Sequence, residues 1–204
     1  MNDRQDENNN KALWNSFLSG DDTAFGLLYD TYLNRLYAYG LHFTSNRELV
    51  KDCVQDLFVK LYVNRKRLKP VDNVKVYLYQ SMKNTLFNLF KKEVEHYQID
   101  SIEPVFCIEL SAEAQLIESE QLYEQKKRIA RMMEHLTPRQ REALYYRFAE
   151  ELSYEEICRL MKMNYQSVRN LIHRSVLKIR SAATGESKKN GNIEYSDENK
   201  LSNI

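Results

Sequence analysis

The 204-residue chain has little of what breaks a helix: 5 Gly and 3 Pro, beside 43% hydrophobic residues. Many-stranded folds need frequent tight turns, and those turns draw on Gly and Pro. Their scarcity favours long helices, and the expected fold class is all-α. Cysteine is equally sparse. Cys53, Cys107 and Cys158 are odd in number, far apart, and without Cys or His neighbours at metal-ligand spacing. A disulfide framework or zinc module is therefore not expected, and the three read as small core or linker residues. No apolar run approaches the length of a membrane span, and the N-terminal MNDRQDENNNK lacks the apolar core of a signal peptide. The expected setting is the cytoplasm.

Enzymatic furniture is missing as well. His42, His96, His135 and His173 have no nucleophile at motif spacing. Asp52 and Asp56 share a helix face at i, i+4, but no further acid or His completes a metal site. Asp21-Asp22 reads more simply as a cap and dipole partner at a helix start. No cofactor and no catalytic role are expected.

The local absence that says most is one of positive charge. Residues 97–119 contain no Lys or Arg but hold Asp100, Glu103, Glu109, Glu113 and Glu118. On one side, residues 60–92 carry Lys60, Arg65, Lys66, Arg67, Lys69, Lys75, Lys83, Lys91 and Lys92 against Asp72 alone. On the other, residues 120–183 return to a basic excess, 13 against 8. Two basic blocks separated by an acidic one point to two nucleic-acid contacts joined by a segment that avoids or mimics nucleic acid.

What is present is clearest in TPRQREALYYRFAEELSYEEICRLMKMNYQSVRNLIHRSVLKIR, residues 137–180. Thr137, Pro138 and Gln140 write one capping box, and Ser153 with Glu156 writes a second. After the turn Lys162-Met163-Asn164, Asn164 can cap a longer helix with Val168, Leu171, Ile172 and Ile179 as its buried stripe. Two helices, a short turn and a longer basic helix are the parts of a DNA-binding helix-turn-helix. Its exposed face carries Gln166, Arg169, Asn170 and His173, side chains able to read adenine and guanine edges in the major groove. Tyr165 and Ser167 flank that face. Arg174 and Lys178 lie further along, where phosphate contacts are expected.

In the N-terminal half, Phe25, Leu28, Tyr32, Leu36 and Tyr39 recur at helical steps between about 21 and 43. Ser45 and Glu48 offer a capping box for a helix through about Tyr62, with Val50, Cys53, Val54, Leu57 and Leu61 buried. The opposite face bears Lys51, Asp52, Gln55, Asp56 and Lys60, and from spacing alone it is a solvated face. A basic loop follows, broken by Pro70. Asp72 can cap the next helix, Val74 to about Lys92, whose core side is Leu78, Met82, Leu86 and Leu89. Tyr77, Ser81, Asn84, Asn88 and Lys91 fall on one opposite stripe, a mixture that suits single-stranded nucleic acid. Tyr77 either stacks on a base or packs within the fold.

Together these segments resemble the bacterial sigma-70 family of RNA polymerase sigma factors, in its small two-domain extracytoplasmic-function (ECF) group. GDDTAFGLLYDTYLNRLYAYG, ELVKDCVQDLFVKLY, VYLYQSMKNTLFNLFKK and the helix-turn-helix carry the resemblance, over roughly residues 13–183. Its implied layout is a disordered 1–12, a region 2 domain over 13–96, an acidic flexible linker over 97–119, a region 4 domain over 120–183 and a disordered tail over 184–204. Val54-Gln55-Asp56-Leu57-Phe58 matches the family's polymerase-docking element, which implies that Asp52, Gln55, Asp56 and Lys60 dock the clamp helices of the largest subunit. The resemblance assigns Arg67, Lys69, Asp72, Asn73, Tyr77, Ser81, Asn84, Asn88 and Lys91 to the melted −10 element. A base flipped from that element would enter a pocket formed by the loop of about Arg67 to Asn73, with Asn84 beside it. Tyr165, Gln166, Ser167, Arg169, Asn170, His173, Arg174 and Lys178 are assigned to the −35 element. Further implied partners are the flap of the second polymerase subunit, promoter DNA, and an anti-sigma factor of the membrane-anchored kind. Two departures stand out: Lys162 where such turns often carry Gly, and few small aliphatic residues in Tyr79-Gln80-Ser81-Met82-Lys83. A rival reading is a helix-turn-helix regulator that binds duplex DNA without polymerase.

Overall fold

The computed structural model describes residues 3–97, 105–107 and 120–183. Among these residues there is no strand. The helices are α1 (Asp3–Ser19), α2 (Asp22–Leu41), α3 (Arg47–Val63), α4 (Val74–Tyr97), α5 (Glu120–Glu134), α6 (Pro138–Leu144), α7 (Tyr154–Met161) and α8 (Tyr165–Ala183). A single 3-10 turn, Arg65–Arg67, follows α3, and α6 runs on into a wide π-type turn, Tyr145–Ala149.

The sequence reading expects disorder over residues 1–12, whereas α1 begins at Asp3. The helix is anchored by Trp14 and Phe17, spaced i, i+3 and both buried. The Trp14 indole also donates to the Lys69 carbonyl at 3.1 Å, tying α1 to the basic loop. Asp21 caps α2 by accepting from the Thr23 and Ala24 amides. At the next two helices the cap sits one residue beyond the expected one. Asn46, not Ser45, accepts from the Leu49 amide at the start of α3. Asn73, not Asp72, accepts from the Val76 amide at the start of α4. Either neighbour could cap a helix by residue type, so the choice lay in backbone entry angle.

Gly40 lets α2 approach its neighbours closely. A Cβ there would sit 2.6 Å from Val50 Cγ1 and 2.8 Å from Met82 Cε, tighter than carbon packing permits. The N-terminal core that results is built from Trp14, Leu28, Tyr32, Leu36, Val54, Leu57, Phe58, Leu78, Met82 and Leu86. In the C-terminal half both capping boxes are formed, Thr137 with Gln140 and Ser153 with Glu156. Asn164 Oδ1 accepts from the Ser167 amide at 2.8 Å and opens α8. Leu144, Tyr146, Ile157, Leu160, Val168 and Ile172 fill the core beneath. Leu171 and Ile179, expected in that stripe, are half-buried at its edge.

The two halves do not stand apart. Helix α4 packs on α7, and the Tyr39 and Tyr146 hydroxyls meet at 2.6 Å. Of the expected linker, Tyr97 ends α4 and residues 105–107 are also described. Phe106 is buried between the halves, its ring 4.8 Å from that of His42 and 5.4 Å from that of Tyr145. The rest of the linker and the tail over 184–204 lie outside the described residues.

Candidate nucleic-acid interface

Helix α8 is presented by a turn that its own sequence resists. Lys162 closes α7 at φ 52° and ψ 48°, the left-handed conformation in which glycine is usual. Its neighbour Met163 donates to the Cys158 carbonyl at 3.1 Å, completing the turn. Beyond it Tyr165, Gln166, Arg169, His173, Arg174 and Lys178 are exposed, while Ser167 and Asn170 are half-buried. The Gln166 amide donates to Asn170 Oδ1 at 3.1 Å, which holds two base-reading groups side by side. Lys178 donates to Gln140 Oε1 at 3.3 Å, placing its ammonium at the foot of α6. Ser175 is buried on the opposite side, its hydroxyl satisfied by the Leu171 carbonyl at 2.6 Å. A small residue there lets α8 lie close against α6, which carries it.

The stripe on α4 divides into two parts. At its start, Asn73 is engaged at both ends: its Oδ1 caps α4, and its Nδ2 donates to Glu156, whose other oxygen accepts from the Ser153 amide. Tyr77 is half-buried with its ring edge-on to Trp14 at 5.1 Å. Ser81 donates to the Tyr77 carbonyl at 2.8 Å. Further along, Asn84, Asn88 and Lys91 are exposed, and Asn84 accepts from Gln80 at 3.1 Å. Arg67, Lys69 and Asp72 are exposed in the preceding loop, which the Trp14 bond to Lys69 holds in place.

On α3, Asp52, Gln55, Asp56 and Lys60 form one exposed row, with Lys60 3.8 Å from Asp56. Spacing alone did not bring out what lies beside that row. Val59, Tyr62 and Val63 are exposed, Val63 by 74%. With Phe25, Tyr29, Gln55 and Phe58 they line an apolar groove of about 470 Å³. The signal was present in the sequence as Val59 and Val63 at i, i+4 on an otherwise polar face. An exposed apolar strip of this kind is more often a contact surface than bare surface.

The seam between the halves was missed altogether. Lys83 pairs with Glu142, both nearly buried, and Lys75 pairs with Glu150 at 2.7 Å. Tyr146 donates to Glu142 at 2.8 Å, so the Tyr39 hydroxyl must donate to Tyr146. Burial holds the Tyr39 and Tyr146 phenols well above their usual range, so this chain of bonds stays neutral up to the carboxylate. Tyr79 stacks on Tyr39 at 4.6 Å, and Tyr145 donates to Glu150 at 2.7 Å. His42, the last residue of the α2 end, donates from Nδ1 to the Cys107 carbonyl at 2.8 Å and accepts from the Cys107 amide through its own carbonyl. Its burial lowers its pKa, opposed by the bond to Cys107 and the Glu150 charge.

Among the described residues no group of His, Cys, Asp and Glu is placed to hold a metal ion, and no helix is long and apolar enough to cross a membrane. The fold and exposed faces define a helical protein with a C-terminal helix-turn-helix and a second basic helical face. Family models agree on what that combination is. Sigma-70 region 2 matches residues 28–95 and sigma-70 region 4 matches residues 126–179. The chain belongs to the sigma-70 family, in its ECF group, whose members act with RNA polymerase in promoter-specific initiation. It is 24% identical to the ECF RNA polymerase sigma factor SigM of Bacillus subtilis (strain 168), over 72% of this chain and 88% of that protein. It is 26% identical to the RNA polymerase sigma factor YlaC of the same organism, over 77% and 90%. Two solved structures share the fold. One is CnrH in complex with the cytosolic domain of CnrY (TM-score 0.56, 18% identity, covering 87% of this chain and 99% of that one). The other is RpoE in complex with the anti-sigma factor NepR from Bartonella quintana (TM-score 0.56, 20% identity, covering 80% and 98%).

Proposed function

We propose that this factor divides its work between three faces. The α8 face, Tyr165, Gln166, Ser167, Arg169, Asn170, His173, Arg174 and Lys178, reads the −35 element. The loop and α4 stripe, Arg67, Lys69, Asp72, Asn73, Tyr77, Ser81, Asn84, Asn88 and Lys91, capture the melted −10 strand. Asp52, Gln55, Asp56 and Lys60 dock the clamp helices of the largest polymerase subunit, with Val59, Tyr62 and Val63 as an apolar margin. The observation that carries the reading is the row Gln166, Arg169, Asn170 and His173, exposed except for a half-buried Asn170, on a helix introduced by a three-residue turn. Phosphate contacts from Arg174 and Lys178 fix register, and base contacts specify sequence.

The same reading takes 13–96 and 120–183 as region 2 and region 4 domains, and the flap of the second polymerase subunit as the seat of the latter. It places the chain in the cytoplasm, without catalysis of its own. The Bartonella quintana relative is seen with an anti-sigma factor, and an anti-sigma partner of the membrane-anchored kind is proposed here.

Purified chain added to bacterial core polymerase is expected to start transcripts from a restricted promoter set. Core polymerase that stays inactive on every promoter of a genomic library overturns the reading. Tight footprinting of duplex DNA without polymerase favours an independent regulator instead. Arg169→Ala is expected to relax selectivity at one −35 position by about 1–3 kcal/mol. A loss spread evenly over all sequences would make Arg169 a phosphate contact.

A further inference from the structure

Gln166 and Asn170 are the second and sixth residues of α8, one helical turn apart. At about 1.5 Å of rise per residue they lie roughly 6 Å apart along the axis, so two independent amides would address different base pairs. They are not independent. Gln166 Nε2 donates to Asn170 Oδ1 at 3.1 Å. We infer that the two side chains form a single reader of one adenine. Gln166 touches the base, and Asn170 is a positioning residue that sets which way the Gln166 amide faces. The inference rests on the assignment of α8 to the −35 element and names the base that this part of the face selects.

The division between the two follows from place and reach. The first residues of a recognition helix come nearest the base edges. Gln166 stands there, exposed, with the longer side chain of the pair. Asn170 lies a turn further along and is half-buried, whereas Arg169 and His173 on either side are exposed. A short, half-buried amide is badly placed to reach a base and well placed to hold the side chain that does. Holding the Gln166 amide before contact also reduces the rotamer freedom lost on binding.

The direction of the bond decides the base. A carboxamide carries two donor hydrogens and one acceptor oxygen, and half a turn about its last bond exchanges the two ends. With one Nε2 hydrogen spent on Asn170 Oδ1, Gln166 presents Oε1 beside its second Nε2 hydrogen. That pair matches adenine, whose major-groove edge offers the N6 amino donor and the N7 acceptor. Guanine offers two acceptors, O6 and N7, so its O6 would face Oε1 with no proton between them. Thymine and cytosine have no N7. The reverse bond, from Asn170 to Gln166 Oε1, would leave both Gln166 hydrogens for guanine.

The test uses holoenzyme assembled from the full chain and bacterial core polymerase. A promoter library with a randomised −35 element is scored by transcript sequencing. Wild type should prefer adenine at one position by roughly 5- to 150-fold. Gln166→Ala should erase that preference. Asn170→Ala keeps α8, because alanine is the best helix former, and should admit guanine at the same position while preferences elsewhere stay. Adding Asn170→Ala to Gln166→Ala should change selectivity no further, since nothing is left to position. Asn170→Asp keeps the acceptor: it should lower initiation on all sequences, through repulsion from phosphates, and retain the adenine preference. An Asn170→Ala profile identical to wild type, or one that loses preference at a second position, overturns the inference. Loss of the adenine preference in Asn170→Asp overturns it too, because an ionised carboxylate can only accept. A wild-type holoenzyme indifferent to every −35 position overturns the assignment of α8 itself, a failure visible without any variant.

Discussion

Lys162 ends α7 in the left-handed region, at φ 52° and ψ 48°, and its exposed side chain makes no use of that conformation. A residue with a Cβ is disfavoured there by roughly 1 kcal/mol relative to glycine. Lys162→Gly is therefore expected to raise the melting temperature by about 2–4 °C, measured by circular dichroism. No rise would show that the turn is already relaxed. The residue scale is also where the sequence was most and least legible. Capping boxes involve partners three residues apart, so Thr137 with Gln140 and Ser153 with Glu156 could be read directly. At Ser45-Asn46 and Asp72-Asn73 two competent caps stand side by side, and local chemistry does not choose between them. The second choice had consequences, because the residue that caps α4 is also the one that reaches Glu156.

At the scale of elements, periodicity located α2, α3, α4, α7 and α8, since each buries a stripe at helical spacing. It missed α1, where a polar first half hides an amphipathic second half anchored by Trp14 and Phe17. Periodicity separates buried from exposed faces, but it does not say what an exposed face touches. On α3 the polar row and the strip Val59, Tyr62 and Val63 are contiguous, so charge and apolar contact act on one surface. Asp56 is 68% exposed and, among the described residues, pairs with Lys60 at 3.8 Å, so its removal should change stability by less than about 0.5 kcal/mol. Asp56→Ala is thus expected to weaken binding to core polymerase, measured by fluorescence anisotropy, with the melting temperature unchanged. A large drop in melting temperature would contradict that division.

The whole molecule holds what a one-dimensional reading could not reach. Lys75 and Lys83 are visible as a spacing, but their partners arrive from segments 75 and 59 residues away. Closure also gives the fold a pH dependence through His42, which faces the Phe106 and Tyr145 rings, the Cys107 carbonyl and the Glu150 charge. Burial lowers its pKa, so the closed state resists the proton that an open chain accepts near the ordinary value of about 6.5. The contribution of His42 to closure is complete above that value and declines as the pH falls below it. Scattering at pH 7.5 and 5.5 should show expansion at the lower pH, and His42→Phe should remove the difference. An unchanged radius would place the balance of the seam elsewhere.

The bond from Trp14 to the Lys69 carbonyl has a practical consequence. This is the only tryptophan of the chain, it is buried against Tyr77 and Phe17, and it touches the loop that leads into α4. Its emission is a native optical signal from that loop, so a strand settling beside Lys69 and Tyr77 can be followed in real time without attaching a dye.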